Sequence, residues 1–263
     1  MLSYQHGFHA GNLADVQKHA LLATMLDYMT QKDKPISYIE PHAGRGLYDL
    51  SGEQSKKTGE AAQGIEKVGQ WFKGDHPYAR ARRAIAKTHG ASIYPGSPAI
   101  AQALLRPTDQ IHLAELHPQE FAHLEEATAA SPSMAGLHLK QQDGMQFAQS
   151  ICPSDPRRGL MLIDPSYEVK TEFEAFPSMI YKLHRKWNVG IIALWYPVLK
   201  NGTHLPLVDG MKRANFPKCL HHEVRFRPAQ KGHGMHGSGM FIINAPWGVA
   251  DEAARLTKLF NAL

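Results

Sequence analysis

The chain has 263 residues, 43% of them hydrophobic, which suits one or two domains with a sizeable core. Twenty-nine Lys and Arg against 24 Asp and Glu leave a net charge of +5, a mildly basic balance compatible with a polyanionic partner. No apolar run reaches the roughly 18 residues of a membrane span, the opening Met1-Leu2-Ser3-Tyr4-Gln5-His6 lacks the basic head and apolar middle of a signal peptide, and Cys152 and Cys219 form neither a disulfide framework nor a metal spacing. The expectation is a cytoplasmic protein, read as a monomer, with no membrane and no metal. Sixteen histidines do not change that, because His6 with His9, His221 with His222, and His233 with His236 stand beside no Cys or carboxylate at zinc-site spacing.

In chain order, Asn12 is a good N-cap with Asp15 in the first turn. Leu22, Met25, Leu26 and Met29 then repeat at helical spacing, so roughly 13–31 reads as an amphipathic helix ending before Lys34-Pro35. A short strand follows at 36–40 and runs into Pro41-His42-Ala43-Gly44-Arg45-Gly46. Further strands are expected at 110–116, 136–142, 159–164, 189–196, 219–226 and 239–244, with helices at 118–130, 143–151, 171–187 and 203–213. This alternation, with several near-continuous apolar strands, predicts an α/β fold with a mostly parallel sheet covered on both faces. The last two strands lack a convincing helix between them, which predicts an antiparallel hairpin at one edge. Residues 47–96 interrupt the alternation with mostly helical material (60–73 and 78–87) and are expected to form a small inserted helical subdomain within a single domain spanning 1–263. Seven strands with a late hairpin resemble a class I, Rossmann-like methyltransferase.

The chemistry concentrates at Asp164-Pro165-Ser166-Tyr167, where the apolar run 159–163 stops. A strand ending in Asp-Pro-x-Tyr resembles the catalytic loop of methyltransferases that modify a planar amino nitrogen, most often N6 of adenine. Such a nitrogen is a poor nucleophile because its lone pair is delocalised into the ring. The Asp164 carboxylate and the Pro165 carbonyl can each accept one N–H and aim the lone pair at a methyl donor, while Tyr167 can stack on the extruded base. Three further positions agree in order. Gly44 and Gly46 follow the first strand, where a tight turn lets backbone approach a ligand. Glu115 ends the next strand of the alternation, where an acid accepts ribose hydroxyls. It lies 71 residues after Gly44, about 50 more than the ~20 usual for a nucleotide-binding sheet, and the segment 47–96 accounts for the excess. Asp143-Gly144 follows the strand at 136–142 and can accept the exocyclic amine of a bound adenine, with a plain helix cap as the alternative. Together these residues imply S-adenosylmethionine as cofactor. Gly232–Gly239 also has spaced glycines, but it precedes a strand, so it reads as a mobile loop able to close over nucleic acid. Lys18, Arg80, Arg82, Arg83, Lys87, Lys182, Arg185 and Lys186 are candidate phosphate contacts, each taken singly more readily an ordinary solvated charge.

The opening Leu2–Asn12 block, with Ala14-Asp15-Val16 and Lys18-His19, resembles the RlmJ-type 23S ribosomal RNA adenine-N6 methyltransferases. The likeness continues through Asp33-Lys34-Pro35, Thr58-Gly59-Glu60, Tyr94–Pro98, Glu115–Pro118, Arg157-Arg158-Gly159, Ala193–Pro197 and Ser238-Gly239-Met240, nearly the whole chain. It implies 23S ribosomal RNA as partner and substrate, with Asp164 catalytic. It implies cofactor contacts at His19, His42, Gly44, Ser97, Glu115, Asp143, Gly144 and Asp164, and substrate contacts at Tyr4, His6, Lys18, Pro165 and Tyr167. The sequence departs from the family at Ser166, where Asp-Pro-Pro-Tyr is usual, and at Gln5, where Arg is common. Methylation of DNA adenine or of protein glutamine, and RNA binding without catalysis, are the competing readings, because the same loop geometry serves the first two.

Overall fold

The computed structural model describes residues 5–130, 135–228 and 234–263. A 3-10 turn at His6–Phe8 leads into α1 (Leu13–Thr30), with Asn12 accepting from the Asp15 N–H as N-cap. Then come β1 (Ser37–Glu40), β2 (Leu47–Asp49), α2 (Glu53–Thr58), α3 (Glu60–Gln63), α4 (Ile65–Val68), α5 (Pro77–His89), β3 (Ile93–Pro95) and α6 (Ser97–Leu104). The regular alternation resumes with β4 (Gln110–Ala114), α7 (Pro118–Ala130), β5 (Gly136–Lys140), α8 (Gly144–Ile151), β6 (Gly159–Ile163), α9 (Glu172–Lys186) and β7 (Ile191–Leu199). The chain finishes with α10 (Leu205–Ala214), β8 (Leu220–Arg225), β9 (Met235–Ile243) and α11 (Val249–Asn261).

Seven strands form one sheet in the order β5-β4-β1-β6-β7-β9-β8. The first five are parallel, while β9 runs antiparallel between β7 and the edge strand β8. This is the doubly wound class I methyltransferase arrangement, late hairpin included. The strand order reverses between β1 and β6, so the C-terminal ends of these two strands frame the crevice where such sheets bind ligands. β1 and β6 are buried along their whole length, as expected of central parallel strands. Two apolar layers cover the sheet: one centred on α1, α6 and α11, the other on Phe173, Phe176, Ile180 and Trp187 with α10.

Several elements differ from the sequence-based expectation. Helix α1 is buried on most faces instead of along one stripe, because α5, α6, α11 and β9 all pack on it. Between β1 and β4 the short strands β2 and β3 pair antiparallel, beside the helices α2 to α5. Pro98, taken for part of a turn, falls in the first turn of α6, a position where its missing N–H costs nothing. The glycine-rich run expected to be a mobile loop is largely strand: β9 begins at Met235, and a Cβ on Gly239 would meet the Tyr196 ring at 2.1 Å. Positions 232 and 233 of that run, and Tyr4, lie outside the described residues. Among those described, no helix is long and apolar enough to cross a membrane.

Candidate active site

A cavity of about 620 Å³ opens at the C-terminal ends of β1, β4, β5, β6 and β7, and its walls include every described residue expected at the site. From the β1 turn come His42 and Gly44. Gly44 holds φ at +61°, a conformation that favours glycine, and its N–H donates to Glu115 Oε2 at 2.8 Å. Glu115, just past β4, takes the His117 N–H on its other oxygen at 2.8 Å. The carboxylate is thus held by one bond on each oxygen, and each keeps a further lone pair for a ligand hydroxyl. Burial pushes the Glu115 carboxyl above the usual carboxylate range, against the pull of the His117 and Gly44 N–H groups.

Asp143 follows β5 and caps α8, with Oδ1 accepting the Gln146 N–H at 2.8 Å. The helix-cap reading and the cavity-lining reading therefore both describe it. Gly144 beside it packs on the Pro41 carbonyl so closely that a Cβ would lie 2.1 Å from that oxygen. His42 has a buried Nδ1 without a hydrogen-bond partner among the described residues, and burial lowers its pKa to about 4, so the ring is neutral. An orphaned neutral imidazole, a fixed carboxylate and two close backbone approaches suit a nucleoside-bearing ligand.

On the opposite side stands the loop after β6. Asp164 Oδ2 accepts from Lys18 Nζ at 2.5 Å, and Lys18 also reaches Asp15 Oδ1 at 2.8 Å. Asp15 in turn takes His6 Nε2 at 2.9 Å and the Gly11 N–H at 2.9 Å. Burial alone would lower the Lys18 pKa, but the two carboxylates outweigh it and hold the ammonium well above its ordinary value. Burial likewise works to raise Asp15, and His6, Lys18 and His19 overcome it, keeping that carboxyl well below its ordinary value. Lys18 was expected among the phosphate contacts. It is only 3% exposed, because Asp15 one turn earlier on the same helix and Asp164 on the loop after β6 draw it inward, and it therefore faces Asp164 instead of solvent.

Tyr167 adopts φ of 54°, rare for a residue with a side chain. Its hydroxyl donates to the Trp195 carbonyl at 2.6 Å, and its ring stacks on Phe173 at 4.4 Å. One face of the tyrosine is thus covered by protein. Pro165 and the exposed Ser166 complete the loop's contribution to the cavity. His19 is buried, with Nδ1 bonded to the Tyr94 hydroxyl at 2.8 Å, and burial drives its pKa to about 3. Ser97, at the start of α6, donates its hydroxyl to Glu40.

Three residues were not singled out as site residues from sequence. Glu40 ends β1 fully buried, takes Tyr38 Oη on Oε2 at 2.7 Å, and has its pKa raised by burial to about 8. Trp195 in the middle of β7 lines the cavity with Lys18 Nζ 5.6 Å from its ring, and its indole N–H donates to Ser238 Oγ at 2.8 Å. Asp15 was read only as a first-turn acid. The spacing Asp15-x-x-Lys18 on one helix was the available signal for a buried pair.

The comparisons agree with this architecture. A family model described as "Ribosomal RNA large subunit methyltransferase D, RlmJ" matches residues 33–262. Ribosomal RNA large subunit methyltransferase J of Escherichia coli (strain K12) is 37% identical over 252 residues, covering 94% of this chain and 88% of that relative. The protein of the same name from Haemophilus influenzae is 37% identical over 253 residues, with the same two coverages. A crystal structure of a Legionella pneumophila protein aligns with a TM-score of 0.85 at 33% identity, covering 97% of this chain and 93% of the other. The chain belongs to the RlmJ family of ribosomal RNA large subunit methyltransferases.

Proposed function

We propose that this protein transfers the methyl group of S-adenosylmethionine to N6 of an adenine in 23S ribosomal RNA, acting as a cytoplasmic monomer. The observation that carries this reading is that the Asp164-Pro165-x-Tyr167 loop, the Gly44 turn, Glu115 and Asp143 open on one cavity at the point where the strand order reverses. S-adenosylmethionine supplies an electrophilic methyl when bound. Glu115 holds the ribose hydroxyls, Asp143 accepts the adenine amine through the oxygen not used for the helix cap, and Gly44, His42, His19, Ser97 and Gly144 shape the remaining wall.

Asp164 acts on the substrate. Lys18 occupies Oδ2, so Oδ1 accepts one N–H of the target amine while the Pro165 carbonyl accepts the other, aiming the lone pair along the transfer axis. Methylation leaves a cationic nitrogen far more acidic than the amine, so the weak base Asp164 suffices to take its proton. Lys18 is a positioning residue: it holds Asp164 stationary, with Asp15 and His6 holding Lys18 in turn. The extruded base enters beside Tyr167 and Trp195, which both line the cavity, and Tyr4 belongs to this substrate side. The test is methyl transfer from labelled S-adenosylmethionine to unmodified large-subunit RNA, with nuclease digestion and mass analysis of the nucleosides. N6-methyladenosine is expected; label confined to duplex DNA or to protein overturns the assignment.

A further inference from the structure

The segment between β1 and β4 carries a second groove of about 720 Å³, distinct from the cofactor cavity. Its floor is apolar (Leu50, Ile65, Phe72 and Ile93), and its rim holds Lys56, Arg82 and Arg83 against a single carboxylate, Glu66. We propose that this groove is a second RNA-binding surface, taking backbone phosphates and one unstacked base of the strand that leads to the target adenine. The inference rests on the RNA-methyltransferase reading above.

Charge complementarity favours RNA as the occupant. Residues 47–96 hold eight Lys and Arg against five Asp and Glu, a net +3 within a chain whose total is +5. Most of the basic excess therefore sits on this one segment. Arg80, on the same helix as Arg82 and Arg83, is ion-paired with Asp27, whereas among the described residues Arg82 and Arg83 have no carboxylate at ion-pair distance and Lys56 feels only the more distant charge of the exposed Asp49. Arg82 lies over the Tyr78 ring at 5.7 Å, and Arg83 is steadied by donating to the Gly74 carbonyl at 2.8 Å. Cations fixed around an apolar floor are what a single strand needs, since phosphates meet charge while a base leaves water.

Position agrees with charge. Helix α3 separates the two cavities: Glu60 lines the cofactor cavity, and its neighbours Gly59 and Ala61 line the groove. Tyr48 lines the cofactor cavity and its β-ribbon partner Tyr94 lines the groove. A strand whose adenine sits at Asp164 thus has a cationic trough one short helix away.

The test compares the full-length protein with a Lys56→Ala/Arg82→Ala/Arg83→Ala variant, and with Lys56→Glu/Arg83→Glu, which changes only exposed side chains. A hairpin RNA carrying the target adenine is the probe. Dissociation constants are read across a salt series, KM and kcat are read separately, and S-adenosylmethionine affinity reports the integrity of the fold. Three lost phosphate contacts should flatten the log–log salt slope by about 2, at roughly 0.7 per contact for a single strand. The hairpin KM should rise at least tenfold, with kcat and cofactor affinity unchanged. An unchanged RNA affinity and slope in either variant that binds cofactor normally overturns the proposal. So does unaltered RNA binding accompanied by lost binding to a ribosomal protein. A wild-type protein that binds the hairpin without methylating it overturns the functional reading instead, and the binding comparison still decides the groove; one that binds no RNA overturns both.

Discussion

Lys18 Nζ and Asp164 Oδ2 stand 2.5 Å apart although 146 residues separate them in sequence, joining α1 to the loop after β6. The ammonium is buried, so the pair works in a medium where charge interactions are strong. The contact fixes Asp164 Oδ2 before any substrate arrives. Asp164→Asn should keep the fold and bind S-adenosylmethionine within about threefold of wild type, while kcat falls by roughly a hundredfold or more. The amide can still accept a hydrogen bond, but it neither orients the amine with full charge nor takes its proton. Turnover close to wild type in single-turnover methylation would remove Asp164 from the mechanism.

The same cluster makes a stability prediction. With Lys18 replaced by Met, the buried Asp15 and the partly buried Asp164 are left near each other without a shared cation. Removing one partner of a buried pair costs about 3–5 kcal/mol, most of it from the uncompensated charge left behind. Adding Asp15→Asn to Lys18→Met should recover a large part of that loss, since the remaining charge conflict disappears. Denaturant unfolding of the two single variants and the double variant measures the coupling. Strict additivity would show that Lys18 and Asp15 do not act as a unit.

How legible this architecture was depends on where each signal resides. The sheet could be read because its central strands are uninterrupted apolar runs, as at 159–163, and because Gly44, Glu115, Asp143 and Asp164 each follow a strand end. Helices α6 and α11 were missed for different reasons. In α6 the proline obscures a helix start, whereas α11 carries Val249, Glu252, Ala253, Leu256 and Phe260 at ordinary helical spacing, a pattern sufficient to predict it. The buried charges could not be read at all. Nothing in Lys18 or Glu40 taken singly announces burial, since that depends on which element packs above them, and the Lys18–Asp164 contact exists only once the chain has folded.

Glu115 carries the cofactor prediction. Glu115→Ala removes the acceptor proposed for the ribose hydroxyls and also releases the Gly44 and His117 N–H groups it now holds. Charged hydrogen bonds of this kind contribute about 1.5–3 kcal/mol, so Kd for S-adenosylmethionine should rise by roughly one to two decades. Glu115→Gln, which retains an acceptor for one of the two backbone groups, should fall between. Calorimetry giving an unchanged Kd together with weakened RNA binding would move Glu115 out of the cofactor site.

Glu40 supplies a pH dependence. Burial raises its pKa from the usual 4.5 to about 8, opposed by the hydroxyls of Ser97 and Tyr38. Because the folded value lies above the unfolded one, its contribution to stability is fully present below pH 4.5. It is lost as pH rises towards 8, where the buried group must ionise. Glu40→Gln stays neutral throughout. The thermal midpoint of the variant relative to wild type should therefore climb steadily between about pH 4.5 and 8 and level off above it, each kcal/mol appearing as roughly 2–4 °C. A difference independent of pH would mean that Glu40 is ionised in the folded protein at neutral pH.

Ser166 stands in the proposed catalytic loop where the Asp-Pro-Pro-Tyr pattern of the resemblance would put proline, and the structure sharpens what a change there should do. The side chain is exposed on the cavity wall and makes no hydrogen bond among the described residues, so neither its hydroxyl nor its N–H is committed to holding the loop. What holds the loop is on either side: Asp164 is fixed by Lys18, and Tyr167 by the Trp195 carbonyl and the Phe173 ring. Tyr167 pays for its left-handed backbone through those contacts, and a stiffer residue before it narrows the conformations the free loop samples. Ser166→Pro should therefore leave cofactor affinity unchanged and keep or modestly raise the methylation rate, by an amount within about 1 kcal/mol of loop freedom. Single-turnover methylation of a short hairpin RNA by both proteins decides the matter. A tenfold or greater loss would show that the Ser166 hydroxyl or N–H contacts the base or its phosphate during transfer, and that this chain uses the position as a substrate contact where its relatives use a rigid one.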